Sequence, residues 1–387
     1  MKQIYLDNNS TTVIDPAVAA VISECLSAGF VNPASQHQMG QIARRKLEEA
    51  RLSILDMIGA NTTGMDSDQL VFTSGGTESN NLAVAGLSYN SDGSMPPNAR
   101  ILISAIEHPS VVATSDFLRQ RGWEIELINV DKDGVILLDH LDELLKTPSR
   151  LVSVMMANNE TGVIQPVAEI ADRCKQAGTL FHCDAVQALG KIPVGFSGLR
   201  CDAMTITAHK LHGPRGIGAL VLKHGLAPFP AIFGGFQQQG FRPGTEDVCL
   251  AVAFAKTIQM AITDLEDRAE QMKIKRDRLQ RELCEKCNGI TVNGGEADRI
   301  PNTLNISFAD INRQEFLMAA DMSGLAVSTG SACASGSSDP SPVLLAMGLE
   351  NEVVEGSIRL SLSAMTTQAE VVIASDRIVS LVNNLRR

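Results

Sequence analysis

The chain has 387 residues, 44% of them apolar and 20% charged, with a formal net charge of −11. That balance excludes a disordered chain, and the acidic surplus argues against a nucleic-acid-binding stripe, which needs clustered Lys and Arg. The length suits two domains better than one core.

Taken in chain order, residues 1–10 contain no apolar stretch of the signal-peptide kind, and no run reaches the length of a membrane span. The expectation is a cytoplasmic protein with no membrane and no direct nucleic-acid partner. Its eight cysteines are then expected to be reduced. Short apolar runs at 70–73, 101–104, 125–130, 151–156, 179–183, 203–207 and 216–222 read as strands, with helical stretches such as 167–177 between them. The alternation predicts an α/β domain built on a mostly parallel sheet with both faces covered. A periodic, highly charged stretch over 248–286 is long for one globular helix, and the domain junction is placed there. Strands at 303–308, 325–329 and 357–362 and a final helix near 368–385 complete a smaller α+β domain. The expected division is an N-terminal arm over 1–14, a large domain over 15–260 and a small domain over 261–387.

Three places on this pattern carry chemistry. Thr73-Ser-Gly-Gly-Thr-Glu-Ser-Asn80 joins a strand to a helix through two glycines. Free N–H groups at the new helix start make a phosphate site, although a Gly-rich turn alone is more often only a turn. Asp184 directly follows a strand, where ligands collect in open α/β sheets; a helix N-cap is the bland alternative. Lys210 stands at the end of another strand beside glycines, placed as a desolvated nucleophile or as a structural lysine paired with an acid. His209 and His212 flank it without an acidic or Cys ligand nearby, so no metal is expected. The pair Cys284 and Cys287 also lacks the second pair that a zinc site wants, and reads as two helix residues. Together, a phosphate cradle, an aspartate and a lysine are the parts that a pyridoxal 5'-phosphate site needs.

Two further residues stand out. In Ser357-Ile-Arg-Leu-Ser-Leu362 the polar residues alternate with apolar ones, which turns Arg359 away from the apolar face. It suits bidentate carboxylate binding and equally a surface salt bridge. Residues 328–341 are almost all Ser, Gly, Ala and Thr, with Cys333 near the middle, and read as an exposed, mobile loop. Cys25, Cys174, Cys183, Cys201 and Cys249 read instead as buried small hydrophobes.

The ordered set Tyr5–Thr12, Asn32–Ser35, Thr73–Asn80, Glu107-His108, Asn158–Gly162, Asp184–Gln187, His209-Lys210, Arg242–Thr245 and Ser328–Ser335 resembles the cysteine desulfurases of the NifS/IscS type. These are fold-type I enzymes of the class V aminotransferase kind, with a large domain on a seven-stranded-type sheet. The resemblance implies that Lys210 carries the cofactor and that His108 stacks on its ring and assists proton transfer. A helix-capping or core role is the alternative for His108. It further implies that Asp184 holds the ring nitrogen, Gln187 the phenolic oxygen, and Gly76, Thr77, Thr207 and His209 the phosphate. Asn159 and Arg359 match contacts to the substrate carboxylate. Thr245 matches a residue donated by the neighbouring subunit, which implies a homodimer. Cys333 matches the nucleophile that takes sulfur from L-cysteine as a persulfide and passes it to an acceptor protein, and its longer loop fits the NifS/IscS branch. Thr207 stands where Ser is common in the family, and keeps the hydroxyl. Relatives carry a longer C-terminal tail that helps dock an iron–sulfur scaffold, so the acceptor stays open between such a scaffold and a thiolation carrier. Rival readings are a selenocysteine lyase, another lyase or aminotransferase of the same fold, and a non-catalytic sulfur-carrier platform.

Overall fold

The computed structural model describes residues 3–330 and 339–386. Cys333 therefore lies outside the described residues. Twelve strands are present among them: β1 (Ile4–Tyr5), β2 (Gln69–Thr73), β3 (Arg100–Ser104), β4 (Glu124–Ile128), β5 (Leu151–Met155), β6 (Leu180–Asp184), β7 (Ala203–Thr207), β8 (Gly218–Leu222), β9 (Ile290–Val292), β10 (Thr303–Phe308), β11 (Leu325–Ala326) and β12 (Ser357–Ser361).

A seven-stranded sheet runs in the order β2-β8-β7-β6-β5-β3-β4. All seven strands fall where the apolar runs predict them. Six run in one direction; β8 alone is antiparallel to both of its neighbours. The central strands are buried along their whole length because alternate side chains serve two cores. Ile101 and Ile103 of β3 pack with Val84, Val111 and Leu118 on one face. Leu102 between them packs on the other face, in the core that holds Ile54 and Ile170. Period-2 burial on both sides is why these strands read as continuous apolar runs.

A second core gathers Ile4, Leu6, Leu279, Leu283, Leu304, Phe316, Leu360 and Ile378. It lies on the sheet β12-β10-β9 and takes in the pair β1–β11, so the chain's start is tied to residue 325. The charged stretch over 248–286 is two helices, not one. Val248–Ile262 and Leu265–Lys286 are bent by 72° at a two-residue break. Thr263 is extended and Asp264 takes φ +52°, which ends the first helix. Arg268 then donates to the carbonyls of Met260 and Ala261, both at 2.8 Å, and satisfies the helix end exposed by the break. A lone charged period cannot show this kink, because no Pro or Gly marks it.

Candidate active site

The carboxyl ends of β2, β3, β5, β6 and β7 open on one edge of the sheet, where α/β folds bind ligands. A pocket of about 440 Å³ lies there. Gly76, Thr77, His108, Asn159, Asp184, Gln187, Thr207, His209, Lys210 and Arg359 all line it. Thr245 does not; it is exposed on the segment after Gly244.

Each side chain arrives by a local route. β2 ends at Thr73, and the helix Gly76–Ser88 starts three residues later with no side-chain cap at its N-terminus. Its first N–H groups are left to face the pocket. Close packing forces the glycines here: a Cβ on Gly76 would lie 3.1 Å from Val186 Cγ2, and one on Gly218 only 2.7 Å from the Gly75 carbonyl carbon. β6 delivers Asp184, whose Oδ1 accepts from Val186 N at 2.9 Å and whose Oδ2 accepts from Asn80 Nδ2 at 2.7 Å. No helix begins directly after Asp184, so it is no helix N-cap; its carboxylate braces the turn that follows β6 and also stands at the pocket wall. β7 runs into a short 3-10 turn, Ala208–Lys210, which carries Lys210 to the pocket. Lys210 Nζ donates to the carbonyls of Asn9 at 2.5 Å and Ser10 at 2.6 Å.

His108 is both a cap and a pocket residue. It is the N-cap of the helix Pro109–Arg119, with Nδ1 accepting from Ser110 N at 3.1 Å. Ser110 Oγ, which accepts from Asn80 Nδ2 at 2.9 Å, lies 2.8 Å from the same Nδ1. Nδ1 is therefore an acceptor, and the proton of the neutral ring sits on Nε2. Burial holds the His108 pKa below its ordinary value; Asp184 opposes this and Lys210 adds to it. Burial, with the charges of Lys210 and Arg215, pushes His209 down to about 4. Thr207 Oγ1 donates to Ile217 O at 3.0 Å, which occupies its hydroxyl proton.

Arg359 sits on β12, opposite Ile358 and Leu360 as the alternation requires, but this face is covered too. The side chain is 2% exposed and ion-paired to Asp7 at 2.6 Å, so it is no surface salt bridge. Nη2 also donates to Ser10 Oγ at 2.9 Å, and Nη1 to Asn159 O at 3.1 Å. Nε is buried with no partner among the described residues, a donor still to be satisfied.

Sequence reasoning assigned no role to Asn9, Asn80 or Lys191. Asn9 O accepts from both Lys210 Nζ and Gln187 Nε2, the latter at 3.0 Å. Lys191 is buried and donates to Gln187 Oε1 at 2.7 Å; burial, helped by Lys210 and Arg359, pushes its pKa down to about 7. Its position four residues after Gln187, in an apolar setting, was the available signal.

The arrangement fits pyridoxal 5'-phosphate. It has an uncapped helix start for a phosphate, a braced carboxylate for a cationic ring nitrogen, and an amine at the pocket wall. Comparison with known proteins agrees. The model of the family described as aminotransferase class-V matches residues 4–373. The chain belongs to the class-V aminotransferase family. Within that family, it is 37% identical over 385 residues to the protein named cysteine desulfurase IscS of Dictyoglomus turgidum, covering 100% of this chain and 96% of that one. Likeness to the cysteine desulfurase of Klebsiella pneumoniae is 36% over 386 residues, covering 100% and 94%. Among solved structures, the NifS-like protein from Rickettsia africae superposes with a TM-score of 0.88 at 33% identity, covering 98% of this chain and 99% of that one. A structure described as SspA in complex with cysteine gives a TM-score of 0.79 at 27% identity, covering 94% and 99%. This class-V aminotransferase thus has the fold-type I architecture that its strand pattern predicts.

Proposed function

We propose that the chain is a cysteine desulfurase that uses pyridoxal 5'-phosphate on Lys210 and Cys333 as the sulfur acceptor. The observation that carries the reading is the convergence of Lys210, Asp184, the open helix start at Gly76 and Arg359 on one pocket. Full-length likeness to cysteine desulfurases supports the chemistry.

When bound, the cofactor supplies an aldehyde for the Lys210 amine and an electron sink for the substrate Cα. Gly76 and Thr77 would receive its phosphate on backbone N–H groups, with His209 beside them. Asp184 would hold the ring nitrogen, and Gln187, which accepts from Lys191, would serve the phenolic oxygen. Arg359 binds the L-cysteine carboxylate with Asn159 at its side, and Nε, which has no partner among the described residues, gives the guanidinium a further donor. The Lys210 amine, at the pocket wall, would take the substrate Cα proton. His108, neutral with its proton on Nε2, is placed to pass a proton within the pocket. The Cys333 thiolate attacks the substrate Sγ; the new S–S bond forms as the C–S bond breaks, and its electrons leave with the carbon. Protonation of that carbon and return of the Cα proton from Lys210 complete L-alanine, so cysteine plus a thiol becomes alanine plus a persulfide.

The persulfide then passes to an acceptor protein, an iron–sulfur scaffold or a thiolation carrier, in the cytoplasm. The working unit is a homodimer in which Thr245 serves the neighbouring site. Phe233 and Phe236, 72% and 94% exposed just before the Thr245 segment, support a covered face there. The deciding experiment is Cys333→Ala. The variant is expected to keep the cofactor's visible band and to lose sulfide release from L-cysteine in reductant. Full sulfide release by that variant would sink the role given to Cys333.

A further inference from the structure

Residues 331–338, which include Cys333, run between two described stems, Gly330 and Ser341. One stem is bonded to the Glu160 carboxyl group, and the other passes directly over it. Glu160 Oε2 accepts from Ser341 Oγ at 2.6 Å. The Gly330 backbone lies so close to that oxygen that a Cβ there would stand 2.5 Å from it, and φ is +92°. Gly330 is thus the residue that lets the chain pass over Glu160 at this distance. Glu160 is itself fixed from below. It lies in the turn after β5, where Asn158 Oδ1 accepts from Glu160 N at 2.8 Å and Thr161 N at 3.0 Å, and Asn305 Nδ2 donates to Glu160 O at 3.3 Å.

The same stem is tied to the substrate-binding arginine. Arg359 Nη1 donates to Gly330 O at 3.3 Å and to Asn159 O, the residue before Glu160, at 3.1 Å. Gly330 N in turn donates to Ser328 Oγ at 3.2 Å. No ion pair within salt-bridge distance is formed by Glu160 among the described residues, although Arg359 is near enough to oppose the rise that burial causes in its pKa. A buried carboxyl with no ion pair is a costly group to keep, and here its one side-chain partner is a loop stem.

We propose that Glu160 is a positioning residue for sulfur transfer: its carboxyl group anchors the Ser341 stem of the segment that carries Cys333, directly beneath the Gly330 stem that Arg359 holds. This rests on the reading of Cys333 as the nucleophile. The physical reason is tether geometry. A nucleophile on a tether has an effective concentration at its target that depends on where the two anchor points sit. Holding Ser341 on Glu160 and Gly330 on Arg359, side by side, fixes that geometry relative to the bound substrate. Binding of substrate and cofactor uses other residues and does not need the pin.

The test compares Glu160→Ala, Glu160→Gln and Ser341→Ala in the cofactor-loaded enzyme. Persulfide on Cys333 is followed by mass in a single turnover, and cysteine binding by the change in the visible band. Glu160→Ala and Ser341→Ala are expected to slow persulfide formation about tenfold, with the band and the cysteine concentration for half-response within twofold of the parent. The double variant should be no slower than the slower single one. Glu160→Gln keeps an acceptor for Ser341 and should recover to within about threefold. Parental persulfide rates in Glu160→Ala overturn the proposal. So does a parallel loss of band, cysteine binding and sulfur transfer, or a Gln variant as slow as Ala. Failure of the Cys333 reading is separate: it shows as undiminished sulfide release in Cys333→Ala, whatever the Glu160 variants do.

Discussion

Asn80 donates one hydrogen bond to Asp184 Oδ2 at 2.7 Å and another to Ser110 Oγ at 2.9 Å. A single amide therefore braces the carboxylate from behind and orders the hydroxyl that meets His108. Asn80→Ala removes both, and leaves Asp184 buried with one donor fewer. A hydrogen bond to a charged group contributes about 1.5–3 kcal/mol. The expected outcome is roughly tenfold weaker cofactor retention in equilibrium dialysis, with a folded protein. Unchanged retention would mean that Asp184 holds its pose without the amide.

Arg359 is the second case. Its fork is occupied on four nitrogen–oxygen contacts by Asp7, Ser10, Asn159 and Gly330, and an ammonium cannot reproduce that plane. Arg359→Lys is expected to raise KM for L-cysteine by one to two orders of magnitude, as loss of about 1.5–3 kcal/mol predicts. The cofactor band should survive, since Arg359 is not among the residues assigned to the cofactor. Steady-state kinetics beside an absorbance spectrum check both halves.

The central strands of the main sheet were legible because each is short, apolar and buried on both faces, and the edge strand β4 because Ile125, Leu127 and Ile128 still make an apolar run. The reversal of β8 was not, since Gly216–Leu222 looks the same in either direction. Lys210, Asp184 and the Thr73–Asn80 turn were legible because strand ends point to ligand sites. Asn9 and Lys191 were missed for a physical reason. Asn9 acts through its carbonyl, which every residue has, and Lys191 acts through Gln187. The kink at Asp264 was missed because a non-glycine left-handed residue leaves no mark in composition. Glu160 could be found only once Gly330 and Ser341, eleven residues apart in sequence, were seen to meet on it.

Thiol reactivity gives a third prediction. Burial pushes Cys174 and Cys201 up to about 12 and Cys183 well above the ordinary thiol value. At pH 8 the thiolate fraction of Cys174 and Cys201 is on the order of 1 in 10,000, and burial blocks access to all three. Cys284 is exposed on the last turn of its helix. Alkylation of the native protein followed by peptide mass should label Cys284 within minutes and leave Cys174, Cys183 and Cys201 unlabelled until the protein unfolds. Early labelling of those three would contradict the packing of the main core.

Glu107 makes stability depend on pH in an unusual direction. It is buried between β3 and β5, accepts from Ser104 Oγ at 2.6 Å and Met155 N at 2.7 Å, and leaves Oε2 with no partner among the described residues. Burial pushes its pKa up from 4.5 to about 8, and the negative charge of Asp184 adds to the rise. In the unfolded chain the carboxyl loses its proton near its ordinary value, while the folded protein keeps it to about 8. Across that window the native state binds more protons than the unfolded state, so stability falls as pH rises, by about 1.4 kcal/mol per unit at most. Below the window the penalty is absent, and above it the penalty is complete. Glu107→Gln copies the protonated carboxyl, keeps an acceptor for Ser104 and Met155, and does not titrate. Its melting temperature should match the parent near pH 5 and exceed it by a growing margin of a few degrees towards pH 8.5. A constant difference across that range would show that Glu107 is ionised in the fold, with a cation or water supplying what Oε2 lacks.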